Sequence, residues 1–441
     1  MKILLYCLNY SPELTGIGKY TGEQARWLAA RGHQVRVLTA PPYYPAWRIG
    51  RGYRAWQYRR EQDGDVDVLR APLWVPAQPS GLKRLVHLAS FAASSLPWLL
   101  AQWRWKPDVV LVVEPPLFCS PAALLLGRLT GARTWLHVQD YEVDAAFALG
   151  LLRQPALRRL ALAGERLLMR GFDRVSTISE AMLRLARDKG VPAARSLLLP
   201  NWTTLGPCRQ APLRGYRRRL GIPANATVAL YSGNMGAKQG LETLAEAAGA
   251  LAHRPDIHFI YCGEGAGRKA LQQACAGLRQ VHFLPLQPAA RFPALLANAD
   301  IHLLPQRADA ADLVLPSKLA GMLASGRPVI ATAHADTELG RLLSHCGRVV
   351  APGDGDALAA AIADLAADPD ARRRLGAAGR SWAERHLDRD AVLSAWEAAM
   401  LALCRNREGV ASGVTPAHAA DLAGEADWPA SRPANLRDGA D

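Results

Sequence analysis

The sequence has 441 residues, of which 50% are hydrophobic and 21% are charged, and its formal net charge is +14 at pH 7. This length predicts two domains of roughly 200 residues each, and the composition excludes a chain that is disordered throughout. The positive charge predicts an anionic partner, but the scattered basic residues lack the aromatic stacking motifs of a nucleic-acid module.

The first half of the sequence alternates short apolar runs with segments of helical periodicity. This alternation predicts an α/β fold in which helices cover both faces of a parallel sheet. The predicted strands are Lys2–Leu8, Gln34–Thr39, Val66–Leu69, Val109–Val113, Arg133–Val138, Arg174–Ile178 and Ser196–Leu199. The predicted helices are Tyr20–Arg31, Ala122–Leu129, Leu157–Met169 and Glu180–Lys189.

A further apolar segment, Leu85–Trp103, carries no formal charge and is flanked by basic residues on both sides. Its length would admit a transmembrane helix, but three serines, His87, Pro97 and Gln102 make that the least favoured interpretation. A buried or half-buried domain helix is favoured. A helix lying on an anionic membrane surface is the second interpretation.

A stretch rich in Pro, Gly and Arg runs from Pro200 to Gly221 and predicts an interdomain linker. A second alternating series follows, which predicts a second Rossmann-like domain. After Glu408 the periodicity ends, which predicts a disordered tail. The predicted strands of this half are Thr227–Ser232, Ile257–Cys262, Val281–Leu284, Ile301–Pro305, Pro328–Thr332 and Gly347–Ala351.

The seven cysteines are odd in number and form no C-x-x-C pair, and several lie in apolar runs. This pattern is typical of reduced thiols in the cytoplasm. The apolar run at the N-terminus is too short for a signal peptide and predicts a first strand instead.

Ligands of open parallel sheets bind outside the carboxyl ends of the strands, so the loops after the strands are the candidate sites. After the first strand, Gly16 and Gly18 precede a helix whose free N–H groups can bind an anion. A dinucleotide-binding fingerprint is disfavoured, because Thr21 occupies the third glycine position and no acidic residue follows the second strand.

Three loops of the second half suggest a diphosphate site. Gly233 opens a glycine-rich loop that contains Lys238, and Glu264 lies in a second glycine-rich loop after the next strand. Ser317 and Lys318 open a later helix, where the helix dipole and the lysine charge would act together. The alternatives are that the glycines only make turns and that Lys318 is a solvated surface charge.

Polar residues also follow the central strands of the first half. Glu114 ends one strand, and His137 ends the next, with Asp140 close behind. A lone histidine at a strand end is more often structural, but the acidic cluster after it favours a loop that faces a cleft. Asp63-Gly-Asp65-Val-Asp67 has the spacing of a metal-binding motif, yet it lies in a predicted polar turn. We predict neither a metal nor another cofactor, because lysines and helix termini can neutralise a diphosphate.

Seven ordered motifs over nearly the whole chain give a resemblance to glycosyltransferase family 4, whose members have the GT-B fold. The likeness is greatest to the glycosyltransferases of colanic acid biosynthesis and runs from Met1 to about residue 400. The motifs are Asn9–Gly22, Ala40–Pro45, His137–Asp144, Val175–Ser179, Pro200–Trp202, Ser232–Glu242 and Leu315–Leu319 with Met322–Pro328.

The resemblance implies a retaining, metal-independent transfer from a nucleotide-diphosphate sugar in the cleft between two domains. The implied donor is GDP-fucose, and the implied acceptor is a lipid-linked saccharide at the inner face of the cytoplasmic membrane, in exopolysaccharide biosynthesis. The domains are then an acceptor-side domain (1–204), a nucleotide-sugar-binding domain (205–385), a helix crossing back to the first domain (386–405) and a disordered tail (406–441).

By motif position, Gly16 and Gly18 should lie beside the donor phosphates and the acceptor. His137 should lie near the transferred sugar, and Lys238 and Lys318 should contact the diphosphate. The nucleoside should lie near Glu264 and Leu286. The further predicted substrate-binding residues are Glu114, Asp140, Gly233, Asn234, Asp312, Ser317 and Leu319.

The sequence departs from the family pattern at three positions. Asn234 replaces an arginine, and Leu313 and Gly321 stand where most members have two glutamates. Asp312, or backbone N–H groups of the Leu315–Ser317 turn, are candidates for the missing donor-sugar contact. A sugar-nucleotide epimerase of similar architecture and a catalytically inert scaffold in a polysaccharide assembly complex remain alternative functions.

Overall fold

The structure is a computed structural model that describes residues 1–13, 16–78, 81–144, 154–204, 214–236, 239–307 and 315–405. Within these residues the chain forms two sheets that are parallel except for one edge strand. The predicted α/β class is therefore confirmed, and several strands agree with the prediction residue for residue.

The described part of the first half forms an eight-stranded sheet with the order β3-β4-β2-β1-β5-β6-β7-β8. The β5 strand is buried along its whole length, as expected for an apolar run covered on both faces. The strands are β1 Lys2–Cys7, β2 Gln34–Thr39, β3 Arg59–Asp63, β4 Val66–Arg70, β5 Val109–Glu114, β6 Arg133–Val138, β7 Arg174–Thr177 and β8 Ser196–Leu198. The helices are α1 Ile17–Ala30, α2 Gly81–Ala101, α3 Ser120–Thr130, α4 Pro155–Gly171 and α5 Glu180–Asp188.

The predicted polar turn and the predicted strand Val66–Leu69 after it are both present, whereas the strand β3 before the turn was not predicted. The strands β3 and β4 pair as an antiparallel hairpin, with Gly64 at the turn. The sequence Arg59–Asp63 has no apolar residue, so no alternation of apolar and polar residues predicted the strand. Arg26 contacts Asp63 at 2.8 Å, and Arg36 contacts Asp67 at 2.8 Å, so both carboxylates are ion-paired.

The predicted helix 85–103 is present as α2, shifted four residues toward the N-terminus at its start. The buried side chains of α2 recur every four residues from His87 to Leu99. This spacing is expected of a helix that packs against the core on one side. The opposite side exposes Leu82 and Val86. Among the described helices, none has the length and apolar character needed to cross a bilayer.

The described part of the second half forms a six-stranded parallel sheet with the order β11-β10-β9-β12-β13-β14. Its strands are β9 Thr227–Ser232, β10 Ile257–Cys262, β11 Val281–Leu284, β12 Ile301–Leu304, β13 Val329–Thr332 and β14 Gly347–Val350. Its helices are α6 Arg214–Arg219, α7 Leu241–Ala250, α8 Arg268–Ala274, α9 Phe292–Ala297, α10 Ser317–Ala324, α11 Glu338–Cys346, α12 Gly355–Ala367 and α13 Pro369–His386.

The predicted linker is partly structured. The short helix α6 lies within it, and Tyr216 of that helix packs into the core beneath β9 and β10. Residues 205–213 lie outside the described part of the chain, as does the predicted disordered tail from residue 406. The domain boundaries therefore stay predictions.

Six of the seven cysteines lie in the described part of the chain, which omits Cys208. Five of the six are buried, and burial raises the pKa of Cys262, Cys275 and Cys346 to about 11. These thiols are protonated at neutral pH and act as small apolar side chains.

The last described helix, α14 Arg389–Arg405, returns to the first sheet. Trp396 stacks on Trp135 of β6 with ring centroids 5.1 Å apart. At the helix surface, Glu397 accepts hydrogen bonds from Arg31 at 2.8 Å and contacts His33 at 2.8 Å. The apolar side of α14 is thus part of the core of the first sheet.

We expect Trp396→Ala to lower the free energy of unfolding by about 3–5 kcal/mol, because it leaves a large cavity against Trp135. Ser394→Ala, on the exposed side of the same helix, should change it by less than about 0.5 kcal/mol. Urea unfolding of the two variants measures the difference. Equal midpoints would show that α14 contributes little to the core of the first sheet.

Candidate active site

The strand order of each sheet reverses direction once, and such a reversal creates a crevice between two strand ends. In the first sheet the reversal falls between β1 and β5, and in the second between β9 and β12. The loops predicted to bind ligands follow these strands. Both sheets therefore present their candidate residues at the position where open α/β sheets bind ligands.

The loop after β1 is held by a buried carboxylate. Glu13 accepts hydrogen bonds from the backbone N–H groups of Tyr43 at 3.0 Å and Tyr44 at 2.9 Å. Burial raises the pKa of Glu13, and these bonds counteract that rise. A Cβ atom on Gly18 would lie 2.6 Å from a carboxylate oxygen of Glu13, so only glycine fits there. Gly16, with φ +62°, immediately precedes helix α1.

His137 is buried at the end of β6. Its Nδ1 lies 2.9 Å from the hydroxyl of Ser176, and its Nε2 lies 3.0 Å from the side-chain amide of Gln139. The edge of the imidazole packs against Trp396, with ring centroids 4.8 Å apart. Burial lowers the pKa of His137 to about 3, so the ring is neutral at physiological pH. Both ring nitrogens are occupied by neighbouring side chains.

Glu114 lies at the end of β5, where it pairs with Val138 of β6, and is fully buried. Neither carboxylate oxygen has a hydrogen-bond partner among the described residues. Burial and the nearby carboxylates of Glu142 and Glu165 raise the pKa of Glu114 well above its usual range. Burial therefore favours the protonated, uncharged form of Glu114. Asp140, in contrast, is exposed on the loop after β6.

A buried lysine that the sequence analysis did not single out neutralises part of this region. Lys189 contacts Asp144 at 2.5 Å and donates to Glu165, and its ammonium lies 4.8 Å from the ring centroid of Tyr141. These residues come from different parts of the sequence. Lys189 is the last residue of a predicted helix, where a lysine is common. No local pattern could have revealed the contact.

In the second sheet, the loops after β9 and β10 cross each other through their backbones. Met235 donates its N–H to the carbonyl of Glu264 at 2.8 Å, and Gly267 donates to the carbonyl of Met235 at 2.8 Å. Gly263, with φ +152°, approaches Gly233 so closely that a Cβ atom would overlap its carbonyl oxygen. Asn234 is exposed at this crossing, and its amide lies over Gly265.

Lys318 lies beside Gly233, as the sequence predicts for a shared site. Its ammonium contacts the amide oxygen of Gln239 at 2.7 Å and the hydroxyl of Tyr231 at 3.4 Å, and it lies 4.5 Å from the centroid of the Tyr231 ring. A Cβ atom on Gly233 would lie 3.5 Å from the ammonium. Burial lowers the pKa of Lys318 to about 7. Among the described residues, no carboxylate pairs with it.

The neighbours of Lys318 in α10 differ in their environment. Ser317 is exposed at the first position of the helix, where backbone N–H groups lack intrahelical acceptors. Leu319 was predicted to contact the substrate, but its side chain packs in the core and its N–H donates to the carbonyl of Pro316 at 2.8 Å. The predicted contact of Leu319 with the substrate stays a prediction.

The predicted nucleoside-binding residues lie at the ends of neighbouring strands. Glu264 follows β10 and is exposed, with Arg268 3.4 Å away. Leu286 follows β11, and its apolar side chain is 53% exposed. The predicted site residues Lys238 and Asp312, and Leu313 where the family has a glutamate, lie outside the described residues. Gly321, at the other such position, lies within helix α10.

The carboxyl ends of the two sheets meet at a contact that the sequence analysis missed. Glu338, at the start of α11, accepts hydrogen bonds from the N–H groups of Glu180 at 3.2 Å and Ala181 at 2.8 Å. Those N–H groups form the first turn of α5, where a negative charge is stabilised. The contact joins the loop after β13 to the loop after β7. The two candidate surfaces therefore face a common cleft.

Two family models match the chain. The Glycosyl transferase 4-like domain matches residues 15–202, and Glycosyl transferases group 1 matches residues 226–368. The first match covers β2 to β8 of the first sheet, and the second covers all six strands of the second sheet.

Known proteins resemble the chain over most of its length. It is 48% identical over 404 residues to the putative colanic acid biosynthesis glycosyl transferase WcaI of Escherichia coli. The alignment covers 89% of this chain and 98% of the relative. It is 30% identical over 395 residues to a GDP-mannose-dependent phosphatidylinositol monomannoside mannosyltransferase of Mycolicibacterium smegmatis. This alignment covers 86% of this chain and 93% of the relative.

Solved structures of low sequence identity share the fold. Sucrose-phosphate synthase from Thermosynechococcus elongatus has a TM-score of 0.71 at 19% identity, and the alignment covers 91% of this chain and 99% of that one. Anabaena Alr3699/HepE in complex with UDP has a TM-score of 0.64 at 16% identity, with 91% and 100% covered. These likenesses agree with two Rossmann-like domains in the GT-B arrangement.

We expect Gly263→Ala to lower the melting temperature by at least twice as much as Gly277→Ala. Both alanines would adopt a positive φ, which costs about 1–2 kcal/mol, but only Gly263 also meets backbone atoms of the neighbouring loop. At about 2–4 °C per kcal/mol, differential scanning calorimetry resolves the two effects. Equal shifts would mean that the two loops are not in close contact.

Proposed function

The chain belongs to glycosyltransferase family 4, and from this premise we propose that it moves a sugar from a nucleotide-diphosphate donor to a lipid-linked saccharide during exopolysaccharide synthesis. The donor in this proposal is GDP-fucose, which rests on the resemblance to colanic acid glycosyltransferases. The nucleotide-sugar class is supported by the relatives, since HepE is described in complex with UDP and with UDP-glucose.

The observation that carries the proposal is the position of Lys318. Its ammonium is desolvated, it lacks a carboxylate partner among the described residues, and it lies beside Gly233 at the switch point of the second sheet. A cation in this position is stabilised when an anion binds next to it. The N-terminus of α10 adds its partial positive charge in the same place. A diphosphate supplies the missing negative charge.

In the proposed reaction, the bond between C1 of the sugar and the β-phosphate oxygen breaks, and its electron pair stays on the phosphate. The acceptor hydroxyl oxygen forms the new bond to C1 on the same face, and its proton passes to the departing phosphate. Lys318 and the first turn of α10 stabilise the negative charge that develops on the diphosphate. Lys238 belongs to the same proposal from its sequence position. No metal ion is required in this scheme.

We assign His137 a positioning role. Its ring is neutral and both nitrogens are engaged, so it orients Gln139, which forms reciprocal hydrogen bonds of 3.0 and 2.9 Å with Asn201. This amide pair lies where the chain leaves the first sheet. Together with the Gly16–Gly18 loop and the exposed Asp140, it forms the proposed acceptor side of the cleft.

The acceptor places the enzyme at the inner face of the cytoplasmic membrane. The basic, apolar segment that includes α2 supports peripheral contact with anionic lipid, because Lys83 and Arg84 lie in the first turn of this helix, whose outer side is partly apolar.

A transfer assay tests the proposal. Nucleotide sugars are first screened by thermal shift, and a cognate donor at about 100 times its dissociation constant should stabilise the protein by about 2.7 kcal/mol. Product should then form only when a lipid-linked saccharide is added. Consumption of the donor into an isomeric sugar nucleotide without acceptor would instead indicate an epimerase, and absence of donor binding would indicate a scaffold.

We expect Lys318→Ala to reduce kcat/KM for transfer at least tenfold, equivalent to about 1.4 kcal/mol of transition-state stabilisation. Lys106→Ala removes the same charge from an exposed site near the amino end of β5, and should leave the rate unchanged. Steady-state kinetics at saturating acceptor measure both. Wild-type turnover of Lys318→Ala would contradict the assigned role.

The lowered pKa of Lys318 also predicts a pH dependence. The donor binds the ammonium form, which the free protein holds below its pKa of about 7. Affinity for a nucleotide-diphosphate sugar should therefore be highest below pH 7 and fall by about tenfold between pH 6 and pH 8, with proton uptake on binding at pH 8. Isothermal titration calorimetry in buffers of different ionisation enthalpy detects the uptake. Lys318→Ala should show neither effect.

A further inference from the structure

A cavity of about 670 Å³ lies beside the first sheet, between the segment that follows β2, the segment that follows β4, and helix α2. Its volume falls in the range of about 300–1,000 Å³ that is typical of small-molecule sites. Tryptophan rings form much of its wall, namely Trp47, Trp56 and Trp74. None of these three residues belongs to the donor site described above.

The wall offers few groups that could bind a polar ligand. Ser90 and Ser94 face the cavity, but their hydroxyls donate to the carbonyls of His87 at 2.7 Å and Pro72 at 2.5 Å. Trp56 is nevertheless 77% exposed and Trp74 is 45% exposed. Large apolar side chains grouped around an open cavity favour an apolar occupant.

The surroundings of the cavity are positively charged. The sequence contains no Asp or Glu over residues 42–58 or over residues 71–101, whereas it places Arg48, Arg51 and Arg54 in the first segment. Arg48 lines the cavity, and the guanidinium of Arg84 lies 5.8 Å from the centroid of the Trp47 ring. The best-matched occupant is an apolar chain that carries an anionic group at one end.

The segment that forms one wall of the cavity also contacts the acceptor-side loop. Glu13 holds the N–H groups of both Tyr43 and Tyr44, and a Cβ atom on Gly16 would lie 3.5 Å from the Tyr44 ring. Tyr43 packs edge-on against Trp47, with ring centroids 5.5 Å apart. The same short segment therefore borders the cleft on one side and the cavity on the other.

We propose that this cavity binds the apolar chain of the lipid-linked acceptor, with the acceptor's diphosphate near Arg84 and Arg48 and its saccharide in the cleft. The assignment rests on the proposed function, because it presumes an acceptor of this class. It differs from general membrane contact in that a single chain leaves the bilayer and enters the cavity.

Farnesyl diphosphate serves as the probe, with inorganic pyrophosphate as its head-group control. Each methylene group withdrawn from water strengthens binding about fourfold, so even partial insertion should make farnesyl diphosphate bind at least about thirtyfold more tightly than pyrophosphate. The W56S/W74S double variant should bring the two affinities within about threefold. W103S, which removes an exposed tryptophan that does not line the cavity, should retain the difference.

A second variant tests the cavity by filling it. Ala77 lines the cavity and is exposed, so A77W adds volume without removing a core side chain. It should also abolish the preference for farnesyl diphosphate while its circular dichroism and melting temperature match the wild type. Retention of the preference in both W56S/W74S and A77W would overturn the proposal.

Two further measurements separate the possible failures. If W56S/W74S loses binding to phosphatidylglycerol vesicles but keeps the farnesyl preference, the tryptophans contact bulk lipid and the proposal is overturned. Thermal shifts with nucleotide sugars are recorded on the same samples. Donor binding without any farnesyl preference refutes the cavity assignment alone, whereas absence of donor binding refutes the proposed function.

Discussion

The proposed chemistry depends on a lysine whose ammonium is withdrawn from water. Lys318 is held by the amide of Gln239 and the hydroxyl and ring of Tyr231, which are neutral groups. Neutral oxygens orient an ammonium but do not replace its lost hydration, which explains why its pKa falls. This arrangement keeps the charge available for a ligand. A carboxylate partner would have stabilised the lysine and weakened its attraction for a diphosphate.

The two sides of the cleft differ in the charge of their buried groups. On the side of the first sheet, burial raises the pKa of Glu114, His137 is neutral, and Lys189 is paired with two carboxylates. Buried groups there carry little net charge, so they add little to the binding of an anion. On the side of the second sheet, Lys318 and the first turn of α10 concentrate positive potential. This division agrees with a donor diphosphate bound by the second sheet and a largely uncharged saccharide beside the first.

The sequence predicted those features that local pattern determines. Apolar runs located the buried parallel strands, and the glycine loops with Lys318 located the carboxyl edge of the second sheet. The β3 strand was missed because its five residues are all polar, and its place in the sheet comes from pairing with β4. The partners of Lys318 and the contact between Glu338 and α5 were also missed, because each joins residues that are distant in sequence. A helix N-terminus can be recognised locally, but its acidic partner from another domain cannot.

Two distant contacts tie the second half of the chain to the first, and they act on opposite sides of the same strands. Trp396 of α14 packs on Trp135 and His137 of β6, whereas Glu338 reaches the helix that follows β7. Because β6 and β7 are neighbours, both contacts lie close to the ends of the strands that carry His137 and Ser176. The α14 helix is attached through the buried core of the first sheet, whereas the Glu338 contact consists of two hydrogen bonds at the carboxyl edge.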